Sequence, residues 1–138
     1  MYLNRFVRDL IKPALLEHDF GDDIGPITFT TEPLNDVSTK LPVVRGRGSN
    51  AGDLATGFTK AIDVIIDVYA DNEDTAYQVS KFIYDHVLAQ WKAQTVFEDG
   101  WIRTFACPMY PTNIPDPVMP DGIVRYLTNF DLAVRHDA

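Results

Sequence analysis

Only one cysteine occurs among the 138 residues of this chain, and no apolar run is long enough to cross a lipid bilayer. A single cysteine, Cys107, excludes an internal disulfide and any cysteine-rich metal site, so we expect a small buried apolar residue there. A membrane-spanning helix needs about 18 consecutive apolar residues, and we therefore expect no membrane segment. The N-terminal residues also lack the apolar block of a signal peptide, which predicts folding in the cytoplasm.

Basic residues are scarce as well, with 12 Lys and Arg against 20 Asp and Glu and a formal net charge of −8. Proteins that bind nucleic acid through its phosphates need clustered Lys and Arg. No such cluster occurs, because Arg45 and Arg47 are separated from other basic residues by Gly46 and Gly48. The acidity favours solubility, or a surface past which an anionic polymer moves without sticking.

Residues 61–91 predict a strand that runs directly into a long helix. In residues 61–70 the apolar side chains alternate with Asp63 and Asp67, which is typical of a strand with one packed face and one largely polar face. From Asp71 the apolar spacing changes to three or four residues, the pattern of an amphipathic helix that ends near Trp91. Asp71 or Asn72 can cap this helix by accepting hydrogen bonds from its first N–H groups.

Weaker patterns predict the other elements. A first helix begins at Leu3, and Pro13 should kink or end it. Two segments read as irregular: residues 46–60 contain four glycines and predict a long flexible loop, and residues 108–122 contain five of the nine prolines and predict an extended arm. Further strands are predicted at residues 27–31, 41–45, 101–107 and 124–135.

Strands outnumber helices in this order and mostly lack crossover helices. The sequence therefore predicts a single α+β domain over residues 1–138, built as a two-layer sandwich. We expect a mixed, mainly antiparallel sheet of four to five strands covered by two helices.

Three aspartates are the strongest signal for enzymatic chemistry. Asp63, Asp67 and Asp71 would face the same way on one strand, and clustered carboxylates can hold Mg²⁺ for phosphoryl chemistry. Residues four apart on a strand are about 13 Å from each other, so neighbouring strands would have to complete any site. The alternative is a solvated acidic face, because charges on the outer side of a strand are usually exposed.

Other catalytic and metal patterns fail. The histidines, His18, His86 and His136, lack the paired spacing of a zinc site. The glycines of residues 46–52 have the wrong spacing for a nucleotide-binding turn, and a strand follows them. We therefore expect no catalytic residues, no cofactor and no metal.

Three segments resemble, in order, those of the tail terminator proteins of long, non-contractile-tailed bacteriophages. They are Leu-Pro-Val-Val-Arg at residues 41–45, Ile-Asp-Val at residues 62–64 with the acidic cap and helix that follow, and the final strand at residues 124–135. The resemblance covers about residues 1–136. It implies a small α+β subunit that closes into a hexameric ring on the finished tail tube, stops its growth and gives the head a docking surface.

The resemblance also implies partners and a location. The partners are further copies of the chain, the tail tube protein and a head–tail connector or head-completion protein, and DNA passes through without specific binding. The location is the head-proximal end of the virion tail, after assembly in the host cytoplasm. Two alternatives stay open. One is another head–tail joining protein, such as a head-completion or adaptor protein; the other is a small Mg²⁺-dependent phosphohydrolase or nuclease that uses the three aspartates.

Two groups of residues are the expected assembly contacts. Those in the proline-rich arm have little local structure to bury them, so a neighbouring subunit could cover them: Tyr110, Ile114, Val118 and Met119. Arg45 and Arg47 could form two-pronged hydrogen bonds with carboxylates of another chain, or they are simply solvated.

Asp63 and Asp67 are the candidates to line the channel of a ring. Both would lie on the outward side of the central strand. A negative wall there would repel DNA phosphates at short range and prevent adhesion.

Overall fold

The computed structural model describes residues 3–34, 41–53 and 59–136. Two helices and five strands follow one another in the order α1 (Leu3–Glu17), β1 (Thr28–Thr30), β2 (Val43–Asp53), β3 (Thr59–Ala70), α2 (Glu73–Ala93), β4 (Trp101–Asn113) and β5 (Val124–Arg135). The strand that runs into a long helix is confirmed as β3 and α2. The final strand is confirmed as β5.

All five strands form one sheet in the order β1-β2-β3-β5-β4. β1 is parallel to β2, and the other three neighbouring pairs are antiparallel. β3 and β5 lie at the centre and pair along their whole length, from Thr59 opposite Arg135 to Ala70 opposite Val124. The mixed, mainly antiparallel sheet is therefore confirmed, and its two longest apolar strands are neighbours.

One hydrophobic core lies between the helices and one face of the sheet. Every second side chain of β3, from Ile62 to Val68, is fully buried in it, and β5 contributes Phe130 and Val134. The buried stripes of both helices belong to the same core: Phe6, Val7, Leu10, Ile11 and Leu15 from α1, and Ala76, Val79, Ile83 and Val87 from α2. Both helices thus cover the same face, which gives the predicted two layers. Each large side chain so buried contributes roughly 1.5–3 kcal/mol.

The ends of the helices show which local signals were strong. Asn72 is the N-cap of α2, and its side-chain oxygen accepts a hydrogen bond of 2.8 Å from the backbone N–H of Thr75. Of the two predicted effects of Pro13, ending the first helix is wrong, because α1 continues through it to Glu17; a kink at Pro13 stays a prediction. Leu15, beyond the proline, is buried in the core, so packing outweighs the hydrogen bond that proline cannot make.

The glycine-rich segment is a strand over most of its length. The prediction of a loop at residues 46–60 is wrong for residues 46–53, which belong to β2, and for residues 59 and 60, which begin β3; residues 54–58 lie outside the described residues. A Cβ atom built on Gly46 would lie 2.8 Å from Cγ1 of Val7, and one on Gly48 would lie 3.2 Å from Cγ2 of the same residue. These glycines therefore allow α1 to approach the sheet closely.

The proline-rich arm is also shorter than predicted. β4 continues to Asn113 and includes Pro108 and Pro111, so only residues 114–122 of the arm are irregular. β4 is an edge strand, where proline is tolerated because one row of N–H groups has no strand partner. Its register with β5 shifts three times between Ile102 and Thr112, as expected for a strand with bulges.

Candidate functional site

The second face of the sheet, called the open face below, consists of the side chains of β2, β3 and β5 that point away from both helices. No described helix or strand covers it. At one end Leu34, Leu41, Met119 and Ile123 pack against Val43 and Tyr69. The polar and apolar side chains along the rest of the open face are Arg45, Arg47, Ser49, Asp63, Ile65, Asp67, Arg125, Leu127, Asn129 and Asp131.

Asp67 is the centre of an ion cluster on the open face. Its side chain is only 1% exposed. Arg125 donates from Nε to Oδ1 at 2.9 Å, and its Nη2 forms an ion pair with the same oxygen at 2.9 Å. Arg47 donates from Nη2 to Oδ2 at 3.0 Å. The prediction that Asp67 lies exposed is therefore wrong, because arginines from the strands on both sides enclose it. A carboxylate in this position cannot present its charge to a channel.

The arginine side of the cluster carries an excess of positive charge. Two guanidinium groups hold one carboxylate, and Arg45 lies opposite Asp67 in the register of β2 and β3. Burial alone would lower the pKa of Arg125, but the charge and hydrogen bond of Asp67 raise it overall, and Asp116 adds to this effect. The Nε atoms of Arg45 and Arg47 are buried without a hydrogen-bond partner among the described residues. The Nη2 atom of Arg47 does have a partner, the carboxylate of Asp67 in the same chain. The Arg47 side chain is 39% exposed.

A pair of carboxylates occupies the other end of the open face. Asp63 of β3 lies directly opposite Asp131 of β5. A hydrogen bond with Asp63, together with desolvation and the repulsion between the two charges, raises the pKa of Asp131. The Asp131 carboxyl therefore keeps its proton to a higher pH than an isolated carboxyl group does. Asp63 is half-buried and Asp131 is exposed.

The three aspartates proposed as a metal site do not converge. Both oxygens of Asp67 already accept hydrogen bonds from arginines, and Asp71 accepts one of 2.8 Å from the side chain of Asn72 at the start of α2. Within residues 3–34, 41–53 and 59–136, no group of three or more His, Cys, Asp or Glu side chains is arranged to hold a metal ion. The partner of Asp63 in the sheet is Asp131, which lies on β5 and far from Asp63 in the sequence.

The four arm residues divide into two pairs. Val118 is 83% exposed and Tyr110 is 44% exposed, although the ring of Tyr110 packs edge-on against Tyr84 at 4.9 Å. Met119 is partly buried against Val43 and Tyr69 of its own chain. Ile114 is also partly buried, and its N–H donates to the carbonyl of Arg125. Tyr110 and Val118 are therefore the two that a neighbouring subunit could cover.

Sequence reasoning missed one aromatic groove, which lies between the end of α1 and α2. It has a volume of about 440 Å³ and is lined by His18, Phe20, Tyr77, Lys81 and Phe82, among others. The rings of His18 and Phe82 stack at 4.3 Å. These residues come from segments about 60 positions apart, so no local pattern joins them.

The sequence was compared with known proteins. No protein-family model and no curated protein matches it. Among the described residues, neither helix has the length and apolar content that crossing a bilayer requires.

Proposed function

We propose that this protein is a structural subunit that closes into a ring, most simply a hexamer, on the end of a phage tail tube. The ring ends tail elongation and offers a docking surface to the head. The resemblance described above suggests the biological setting, and the structure supplies physical support for a subunit that assembles head to tail.

The observation that carries this proposal is the difference between the two edges of the sheet. One edge is β1, which has three residues; the other is β4, which has 13 and carries exposed apolar side chains near its end. A contact between one subunit's β4 edge and a different surface of the next subunit is heterologous, and such contacts produce closed rings when the rotation closes. Tyr110 would lie in that contact, since it is exposed on β4, whereas Val118 is exposed in the arm beside Met119, which packs against β2 and β3.

The charged groups of the open face suit a structural role. The most deeply buried of them, Asp67, is held by arginines on two strands, and both of its oxygens accept hydrogen bonds. Asp63 remains half-buried on the open face, and its place in the channel of a ring stays a prediction. DNA would pass such a channel without specific binding, in keeping with the net charge of −8.

The ring is tested by the mass of the protein and by electron microscopy of tails. We expect Tyr110→Asp to prevent ring formation and to leave tails of irregular length. Leu16→Asp is the matched control, because Leu16 is 66% exposed on α1, away from the β4 edge. Normal rings and tails of normal length with Tyr110→Asp would remove the β4 edge from the contact, and an unmodified protein that forms no ring, in solution or on tails, would reject the proposal. Rings that attach to heads but never to tail tubes would assign the protein to head completion instead.

A further inference from the structure

One side of β2 is only partly covered by its neighbour in the sheet. β1 has three residues and pairs with β2 at residues 43–45, so the rest of β2 has no described strand on the side away from β3. The N–H of Thr28 donates to the carbonyl of Pro42, which fixes the direction of the backbone groups of β2. In a strand these groups alternate between the two sides from one residue to the next. The N–H and C=O groups of Gly48 and Asn50 therefore point away from β3, into an edge without a described strand.

This part of β2, residues 46–50, is called the β2 edge below, and it differs from the opposite edge of the sheet. Two prolines and three register shifts interrupt the β4 edge. Side chains at the end of α2 also occupy its carbonyl groups, because Trp91 donates to the carbonyl of Arg103 and Gln94 donates to that of Ile102, both at 3.1 Å. Proteins use such devices to stop exposed edges from pairing with other chains. The β2 edge contains no proline and no register shift, so it is the edge that accepts another strand more readily.

The arginines beside the β2 edge favour an acidic partner. Arg47 holds Asp67 through Nη2, and its side chain is 39% exposed. Arg45 has no ion pair among the described residues, and its Nε atom has no hydrogen-bond partner there. A residue on a strand added beside Arg47 lies about 4.5–5.5 Å from it and about 7–8 Å from the diagonal neighbour, Arg45. One carboxylate at that position is therefore within reach of both guanidinium groups.

The other face of an added strand would lie beside α1. A Cβ atom built on Gly46 would be 3.1 Å from the ring of Phe29, which belongs to β1, and one built on Gly48 would be 3.4 Å from Cβ of Leu3. Phe29 and Leu3 both pack against the hydrophobic core. A strand that continues the line of β1 would bury its side chains on this face next to them. Such a strand is expected to carry apolar side chains on one face and acidic ones on the other.

We infer that the β2 edge binds an extended segment of a partner protein, in which acidic and apolar side chains alternate. The backbone groups of Gly48 and Asn50 supply hydrogen bonds to the added strand, and the different surroundings of its two faces supply specificity. This contact is independent of the proposed ring, which uses the side chain of Tyr110 on β4, at the other end of the sheet.

A second copy of the chain does not fit the β2 edge. The β4 edge of a second copy is protected, as described above. A two-fold pairing of two β2 edges would place both α1 helices on the same side of the joined sheet, because each α1 lies over its own β2. Paired strands are about 4.8 Å apart, whereas packed helices need about 8–10 Å between their axes. The occupant is therefore a strand that carries no helix above it.

NMR titration of the isotopically labelled chain with blocked six-residue peptides tests this contact. In the probe peptide valine alternates with glutamate, and in the control peptide valine alternates with lysine. We expect the probe to cause saturable shifts of the amide signals of Gly48 and Asn50 and to slow the exchange of their amide hydrogens. The lysine peptide should bind at least about tenfold more weakly, because it places like charges beside Arg45 and Arg47.

A proline at residue 50 tests the backbone contact. Asn50→Pro removes an N–H that points to the β2 edge and leaves the ladder between β2 and β3 intact, so it should weaken the binding of the probe about tenfold or more. Asn50→Ala is the matched control. It loses the same side chain, including its hydrogen bond from the N–H of Gly52, but keeps the backbone N–H and should bind like the parent. Arg45→Gln tests the charge with an unchanged backbone and should also weaken the binding of the probe.

Several outcomes would overturn the inference. They are no saturable binding of the probe, equal binding of the two peptides, and an Asn50→Pro variant that binds like the parent. Peptide-induced shifts confined to β4 would place the added strand at the other edge. Shifts of Gly48 and Asn50 on raising the protein concentration without peptide would make a second copy the occupant, and each of these results overturns the inference as well. Tyr110→Asp should leave peptide binding unchanged, so this contact and the ring can fail separately.

Discussion

Arg125 and Asp67 are 58 positions apart in the chain, yet Nε and Nη2 of the arginine both lie 2.9 Å from Oδ1 of the aspartate. Arg47 holds the other oxygen of the same carboxylate from the opposite side. The aspartate therefore links β3 to both of its neighbours in the sheet, β2 and β5. Because the carboxylate is almost completely buried, its pairing is important for folding as well as for the charge of the open face.

Removing this carboxylate should cost much more stability than removing an exposed one. We expect Asp67→Ala to lower the free energy of unfolding by about 3–5 kcal/mol, since it leaves partly buried arginines uncompensated. Asp85→Ala, which breaks an exposed pair with Lys81 on α2, should cost no more than about 0.5 kcal/mol. Urea unfolding measures both, and a similar small loss for the two variants would contradict the role given to Asp67.

The close approach of α1 to β2 predicts a steric penalty at Gly46. Gly46→Ala should destabilise the protein by about 1–3 kcal/mol, because the new methyl group would overlap Cγ1 of Val7. Combining it with Val7→Ala should recover part of the loss attributable to overlap, so the two changes should be non-additive. Ser49→Ala, at an exposed position of the same strand, is the control. Additive costs for Gly46 and Val7 would show that the contact is unimportant.

His86 makes stability depend on pH. Its Nε2 donates a hydrogen bond of 2.8 Å to the carbonyl of Leu10; burial lowers the pKa of the histidine, although this bond opposes the effect. The unfolded chain therefore binds a proton at higher pH than the folded one does, and stability is lost as the pH falls below about 6.5.

Thermal unfolding of the protein and of His86→Gln between pH 7.5 and pH 5 measures this contribution. The difference in melting temperature between the two proteins should shrink as the solution is acidified, because only the histidine must be kept neutral in the folded state. A constant difference across this range would remove His86 as the cause.

The acid pair should behave in the opposite way. The pKa of Asp131 is raised in the folded chain, so the repulsion with Asp63 lowers stability at neutral pH and disappears as Asp131 takes up a proton on acidification. We expect Asp131→Asn to raise the melting temperature at pH 7 and to lose this advantage near pH 4. Calorimetry on protein dilute enough to be monomeric measures it, and a variant less stable than the parent at pH 7 would argue against the repulsion.

The periodic parts of the sequence were sufficient to predict the fold class and its main elements. The alternation from Ile62 to Val68, the helical stripe that follows and the similar alternation of the last strand are local patterns. Each depends on residues a few positions apart, and burial of one face makes that pattern necessary. The cap of α2 is local in the same sense, and the sequence placed it at Asp71 or Asn72, of which the structure has Asn72.

The glycine-rich segment shows where local patterns mislead. The glycines at residues 46 and 48 predict a flexible segment when the segment is considered alone. In the structure they leave room for the side chain of Val7, about 40 positions earlier, which lies against the strand. The prolines of β4 misled in the same way, since a strand at the edge of a sheet tolerates them and a central strand does not. Neither the neighbour nor the edge can be read from the segment itself.

The sequence by itself determined which faces of β3, β5 and α2 are apolar, because burial imposes a short period on each of them. Only the tertiary structure decided that Asp67 is buried between arginines, that Asp63 has Asp131 as its partner, and that the two ends of the open face differ in charge. These relationships depend on the register between strands that lie far apart in the chain. A shift of one residue in that register would send every side chain of a strand to the opposite face, so the cross-strand pairing, and not the local pattern, determines which charges meet.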